Sequence, residues 1–332
     1  MKKLQRALLL AAVAVSSFAG SAHADGRNPG SLLIFPEYDH SPGRDTMLTV
    51  TNTSAQGGVR VHFYYVGGVP GNLCDRSNRT EVLTPSDTIT LLTSAHSGQS
   101  PTGNKYKGFV YCYAENAAGA PISFNFLVGD EIVVDGNTAL QYAVNPLVYK
   151  AKTPTSQPTD LDGDGVRDLN DVEYEGSPDR VFIPRFMGQS AEHQSDLILI
   201  SLTGGANFTN VVNFLMFNDN EEVFSAQRSF TCWEKVPLTT ISAMFANSFL
   251  HNSTNDAVSE IVGATNYESG WILIDGNVAY SSARQFTDPT ILAVLVEKAG
   301  AAPNNTGAEI PWFTGKQFNG DLLPTSINGD SN

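Results

Sequence analysis

The chain has 332 residues, with 34 Asp+Glu against 20 Lys+Arg and a formal charge of −14. Such a surface repels nucleic acid and anionic lipid, so neither is an expected partner. The length suits two domains of ordinary size, and past the first segment no apolar run reaches the roughly 18 residues a membrane-spanning helix needs.

Residues 1–24 read as an export signal: Lys2, Lys3 and Arg6 form a positive start, Leu8 to Val15 an apolar core, and Ala22-His23-Ala24 an A-x-A cleavage site. Cleavage there would leave 17 Lys+Arg against 34 Asp+Glu, a charge of −17. Periplasm, cell surface and medium are all open as destinations. Strand-like alternation dominates the rest of the chain, as in Met47 to Asn52, Val59 to Tyr65 and Thr88 to Leu92. Two stretches, around Thr240 to Phe249 and Pro289 to Lys298, are short helix candidates. The pattern predicts an all-β chain.

The chain also repeats itself. Leu33-Ile-Phe-Pro-Glu-Tyr38 matches Val181-Phe-Ile-Pro-Arg-Phe186, and Asp45 and Phe63 keep the spacing of Asp196 and Phe214. Further on, Cys74 is set against Cys232, Thr88-Ile89 against Thr240-Ile241, and Gly108-Phe109 against Gly270-Trp271. Ordered landmarks of this kind predict two tandem Ig-like β-sandwich domains related by internal duplication, spanning 25–150 and 180–300. A linker at 151–179 and a C-terminal tail at 301–332 complete the plan. An exported chain meets an oxidising compartment, and Cys112 aligns with the apolar Ile274, so the expected disulfide is Cys74–Cys112 within the first domain, with Cys232 left over.

The linker carries the sharpest motif. From Asp160 the sequence runs Asp-Leu-Asp-Gly-Asp-Gly-Val-Arg-Asp-Leu-Asn-Asp171, with carboxylates at positions 1, 3, 5, 9 and 12 and glycine at 6. Alternate acids in a tight loop can turn several oxygens onto one hard cation. The expected calcium ligands are Asp160, Asp162, Asp164, the Val166 carbonyl, Asp168 and Asp171, with Glu173 as a substitute for the short Asp171 side chain. This segment resembles the calcium repeats of thrombospondin type 3 and dockerin modules, carried by Asp162-Gly-Asp-Gly-Val-Arg-Asp168 and Asp171. It departs from an EF-hand at Asp171, where that family has Glu, and at Arg167, where it has an apolar residue. The resemblance implies a structural ion that stiffens a linker. The remainder is similar to a loosely defined group of secreted bacterial proteins through its Leu-Leu-Ile-Phe-Pro-Glu and Leu-Thr-Pro-Ser-Asp-Thr-Ile-Thr stretches, and that likeness implies no activity.

Catalytic motifs are absent: there is no G-x-S-x-G, H-E-x-x-H, P-loop or G-x-G-x-x-G. Glu37, Asp39 and His40 form the best local acid–base or metal cluster, against the alternative of a solvated loop. Tyr64, Trp233 and Trp312 are the aromatics set aside as ligand contacts, since exposed rings on a sheet can stack on sugars. The leading expectation is a secreted, non-enzymatic surface, structural or glycan-binding protein with a calcium site. An extracellular polymer hydrolase is the second reading. A subunit assembling through exposed strand edges is the third.

Overall fold

The computed structural model describes residues 28–69, 72–98, 106–203, 208–253, 267–299, 305–309 and 311–322. The expected signal segment lies outside them. Nine strands form the first half: β1 Leu32–Asp39, β2 Arg44–Asn52, β3 Val59–Val69, β4 Asn72–Leu83, β5 Thr88–Leu92, β6 Lys107–Glu115, β7 Leu127–Asp135, β8 Leu140–Val144 and β9 Leu147–Tyr149. After β10 (Arg167–Leu169) come β11 Arg180–Met187, β12 His193–Ser201, β13 Thr209–Asn218, β14 Val223–Phe230, β15 Trp233–Pro237, β16 Ser269–Tyr280, β17 Gln285–Thr287, β18 Ile291–Ala299, β19 Asn305–Glu309, β20 Trp312–Thr314 and β21 Gly320–Leu322. Among the described residues no helix is long and apolar enough to cross a membrane.

The second half repeats the strand order of the first. The β3 sheet runs β4-β3-β6-β1-β9 and the β13 sheet β14-β13-β16-β11-β20, with β17 beside β16. The β2 sheet runs β5-β2-β7-β8 and the β12 sheet β15-β12-β18-β19. Even an irregularity recurs. Pairing with the neighbouring strand skips between Phe35 and Tyr38 in β1, and between Ile183 and Phe186 in β11. Pro36 and Pro184 sit in these gaps and have no N–H to give to a ladder, so a bulge is the natural outcome. Opposite each bulge stands a glycine: a Cβ on Gly108 would fall 1.9 Å from the Val66 carbonyl oxygen, and one on Gly270 2.4 Å from that of Phe217.

The expectation of two Ig-like sandwiches is corrected. The four larger sheets are arranged as a four-bladed, propeller-like ring of small sheets, and the reason lies in where the apolar faces are spent. One cluster, with Phe35, Leu48 and Phe63, fills the space between the β3 and β2 sheets. A second, with Leu197, Phe214 and Ile274, lies between the β12 and β13 sheets. The third joins the halves: Ile34, Tyr64, Tyr111 and Tyr113 of the β3 sheet meet Ile198, Ile200, Val294 and Val296 of the β12 sheet, and Tyr142 and Val144 of β8 close its side. Among the described residues, no buried apolar cluster joins the β2 and β13 sheets.

The joint also explains why β18 is misread as a helix. Ile291 to Val296 are all buried, because the β12 sheet has a neighbour on both faces. A run apolar on both sides has no period of two to betray it. The other helix candidate is real but broken into Leu238–Ile241, Ala243–Phe245 and Asn247–Ser253. The chain beyond 300, read as a tail, is woven in: β19 joins the β12 sheet, β20 the β13 sheet, and β21 pairs with β10.

The Cys74–Cys112 bridge is likewise corrected. Cys74 bonds to Cys232, with Cα atoms 5.7 Å apart and 158 residues between them, and Cys112 is a buried free thiol on β6. Cys112 points into the cluster between the β3 and β2 sheets, whereas Cys74 points into the joint, so the two face opposite sides of one sheet. The disulfide therefore ties one half to the other. The sequence match of Cys74 with Cys232 is also out of register: Cys74 precedes the part of β4 that pairs with Val59 to Val66, while Cys232 follows β14. Thr88 begins β5, but Thr240 lies in the short helix after β15.

Candidate metal centre

The acidic loop hangs between two short anchors. At its far side β10 pairs with β21, Arg167 opposite Leu322 and Leu169 opposite Gly320. Leu169, Tyr174 and Leu322 enter the cluster at the joint between the halves. The chain then returns beside the segment that follows β9, where Lys152 N–H donates to the Glu173 carbonyl at 2.8 Å and Glu175 N–H to that of Lys150 at 2.9 Å. Within the loop Gly163 and Gly165 adopt φ of 79° and 83°, a left-handed backbone that glycine enters without a Cβ clash.

That turn geometry gathers carboxylates. Oxygens of Asp160, Asp162 and Glu173 lie within 4.8 Å of one another, and so do those of Asp162, Asp164 and Asp168. Several are held by backbone donors: Gly163 N–H to Asp160 Oδ1 at 2.9 Å, Val166 N–H to Asp164 Oδ1 at 2.7 Å, and Leu161 N–H to Glu173 Oε1. Asp168 is different. Its side chain is buried, and its Oδ1 has no hydrogen-bond partner. A buried acceptor left bare costs about 1–3 kcal/mol, more for a charged group. Burial, then the charges of Asp164 and Asp162, pushes the Asp168 carboxyl up to about 6. Burial, opposed by the Leu161 N–H and assisted by Asp168, pushes Glu173 up to about 7. These acids are crowded and short of positive charge, and five of them, Asp160, Asp162, Asp164, Asp168 and Glu173, can hold a metal ion.

One predicted ligand drops out. Asp171 takes a left-handed backbone at φ 63° and pairs outward with Lys152 at 3.0 Å and Lys316 at 3.3 Å. Glu173, two residues on, has the reach Asp171 lacks and turns inward in its place. Val166, expected to offer its carbonyl, is buried and gives its N–H to Asp164. Arg167, the departure from the EF-hand pattern, has a structural task. Its side chain is 3 % exposed, contacts Asp160 Oδ2 at 3.3 Å, and lays its guanidinium 5.1 Å from the centroid of the Tyr113 ring. The loop is thereby pinned to the aromatic floor of the joint.

The remaining candidates scatter. Glu37 faces the joint, where Lys235 Nζ donates to its two oxygens at 2.9 and 2.7 Å and Tyr142 donates its hydroxyl. Asp39 pairs with Arg44 at 3.1 Å, and His40 is buried against Tyr38 with ring centroids 5.7 Å apart. The trio is not one site. Tyr64 and Trp233 are buried in the joint rather than displayed on an open sheet face; Trp233 donates its indole N–H to the Pro36 carbonyl at 2.8 Å and lines a cleft beside it. Trp312 is exposed.

Sequence reasoning missed a polar cleft of about 420 Å³ at the mouth of the joint, lined by Glu37, Asp39, Asp135 and Asp196. Each of these acids has a cation: Lys235 for Glu37, Arg44 for Asp39 and for Asp135 at 2.9 Å, and Lys298 for Asp196 at 2.5 Å. Behind Glu37 lies Glu131, fully buried, with Oε1 unpartnered and its carboxyl held well above the usual range by burial and by the charge of Glu37. The sequence points to Glu37 and Asp39 but not to the cleft they line, because Glu37 and its partner Lys235 stand 198 residues apart and carry no spacing.

Compared with known protein families and with curated proteins, the chain matches no family model and no curated sequence.

Proposed function

We propose that this is a non-enzymatic structural or binding protein of the cell exterior, whose acidic loop takes up calcium to lock its two halves together. The observation that carries the reading is Asp168 Oδ1, buried and bare among converging carboxylates. Calcium suits the donor set, since it accepts six to eight hard oxygens at flexible geometry, whereas magnesium demands a near-ideal octahedron. The bound ion would supply positive charge to Asp160, Asp162, Asp164, Asp168 and Glu173. The chain's own residues do the rest: Leu169, Tyr174 and Arg167 carry that rigidity into the joint. A structural role fits the setting, because none of the five acids lines a cleft among the described pockets and the acids of the polar cleft at Glu37 are already ion-paired. The export signal and the inter-half disulfide support an oxidising location.

Calorimetric titration of the chelator-treated chain tests this. One calcium should bind, and saturation at a hundred times Kd should stabilise the fold by about 2.7 kcal/mol. Asp168→Asn and Glu173→Gln should weaken binding at least tenfold, while Asp171→Asn leaves it nearly unchanged. Equal melting temperatures with calcium and with chelator would remove the reading.

A further inference from the structure

Part of the outward face of the β13 sheet repeats an apolar row that is buried elsewhere in the same chain, although the next row, Arg180, Asp275 and Asn213, is polar. Across β9, β1, β6 and β3 the residues Leu147, Ile34, Tyr111 and Tyr64 stand side by side. The β12 sheet covers them, and all four are buried. Across β20, β11, β16 and β13 the same row reads Trp312, Phe182, Leu273 and Leu215. Nothing described covers it: Trp312 is 69 % and Leu215 37 % exposed. Trp271 and Phe217, stacked with centroids 3.8 Å apart, widen the patch toward exposed Val223. A contiguous apolar face of this sort on a soluble surface marks a contact site.

The chain's own joint says what fits there. Inside the molecule a face of the β3 type is covered by a face of the β12 type. The counterpart of the β12 face on the first half is the outward face of the β2 sheet, and none of the described residues covers it either. Leu92, Met47 and Ile132 form an apolar row in register across β5, β2 and β7, with Leu92 50 % and nearby Val134 40 % exposed. The molecule thus ends in two different faces whose structural equivalents already bind each other.

We infer that a second copy of the chain docks its β2 sheet onto the β13 sheet, repeating between molecules the joint found within one. The contact is face to face and distinct from strand-edge pairing. It does not depend on the calcium reading. Because the two faces differ, the contact is heterologous and leaves a free face at each end, so it propagates into short filaments or rings. Threonines at 49, 51, 88 and 90 make the rest of the β2 face more polar than its β12 counterpart, so the contact is weaker than the internal joint and reversible. The acidic charge of the chain opposes self-contact, so salt strengthens it.

Sedimentation velocity of the full chain over a concentration series, at low salt and at about 0.5 M NaCl, tests the inference. The mean mass should rise with concentration past two chains, and rise further with salt. Leu273→Glu on one face and Met47→Glu on the other should each hold the protein at one chain. An equimolar mixture of the two variants should recover a species of two chains and stop there, because one complementary pair of faces survives. Should Leu273→Glu lose its cooperative melting transition, Trp312→Ser, at an exposed edge position, takes its place. A single chain at every concentration overturns the inference. So does a species that stops at two chains and is sensitive to Leu273→Glu but not to Met47→Glu, since that would be two β13 faces meeting.

Discussion

Tyr111 and Leu273 occupy the same place in two sheets of the same strand order, yet Tyr111 is 1 % exposed and Leu273 faces solvent in part. The strands around them are alike; the difference is what lies above. Over Tyr111 the β12 sheet, the disulfide and the acidic loop converge, and over Leu273 there is nothing described. A repeated fold therefore carries two copies of one surface, and its context assigns one copy to the interior and leaves the other as surface. Stability and recognition are separated along the chain without any change of architecture.

The comparison can be broken most sharply by truncation. Tyr111→Ala should cost about 3–5 kcal/mol in chemical denaturation, while Leu273→Ala at the matching position should cost under about 1 kcal/mol. Equal costs would mean the two faces are not differently covered. Loss of the inter-half bond comes next: Cys74→Ala with Cys232→Ala should destabilise by about 2–5 kcal/mol, as expected for a cross-link closing a long loop. Peptide mapping of the unreduced chain should find Cys74 joined to Cys232 and Cys112 free; a Cys112 cross-link would undo the account of the joint.

Glu131 gives a smaller effect with a sign. Its folded carboxyl is held above the ordinary value, so the folded state keeps a proton that the unfolded chain releases above about pH 4.3. The native protein therefore loses stability as pH rises from there. Glu131→Gln cannot titrate, so its melting temperature relative to the parent should climb between pH 4 and pH 8. A difference that stays flat with pH would show that Glu131 carries no buried proton. Smallest of all, Thr51→Ala should remove the hydroxyl contact with Thr88 at 2.8 Å on the open β2 face and change stability by only a few tenths of a kcal/mol.

Much of the fold is legible in the residues. Phe35-Pro36 and Ile183-Pro184 announce the paired bulges because proline cannot donate to a ladder, and Gly108 and Gly270 stand where a carbonyl leaves no room for a Cβ. The all-β class follows from the alternation in β2 and β5, where one face is wet. The acidic cluster follows from acid spacing, apart from its last member, where Asp171 pairs with Lys152 and Lys316 and Glu173 joins the cluster instead. Contact between faces stays hidden. The alternation of β1 says that Ile34 and Leu33 point opposite ways, but not that both sides will be covered. The Ig-like expectation fails for that reason. The cysteine pairing fails because Cys112 faces the side of its sheet away from Cys74, and matching the two repeats does not register sides.

The pairing of β10 with β21 bears on the order of events during synthesis. The acidic loop appears midway along the chain, but the strand that holds its far edge is Gly320–Leu322, some 150 residues later. Both halves must exist before the loop can be fastened, and closing so long a separation is slow compared with forming a hairpin. If the loop takes up a cation as proposed, that uptake would come late in folding, and a filled loop would mark a finished molecule. Refolding followed by a calcium dye and by tryptophan fluorescence should show the dye signal trailing; a dye signal that leads would reverse that order.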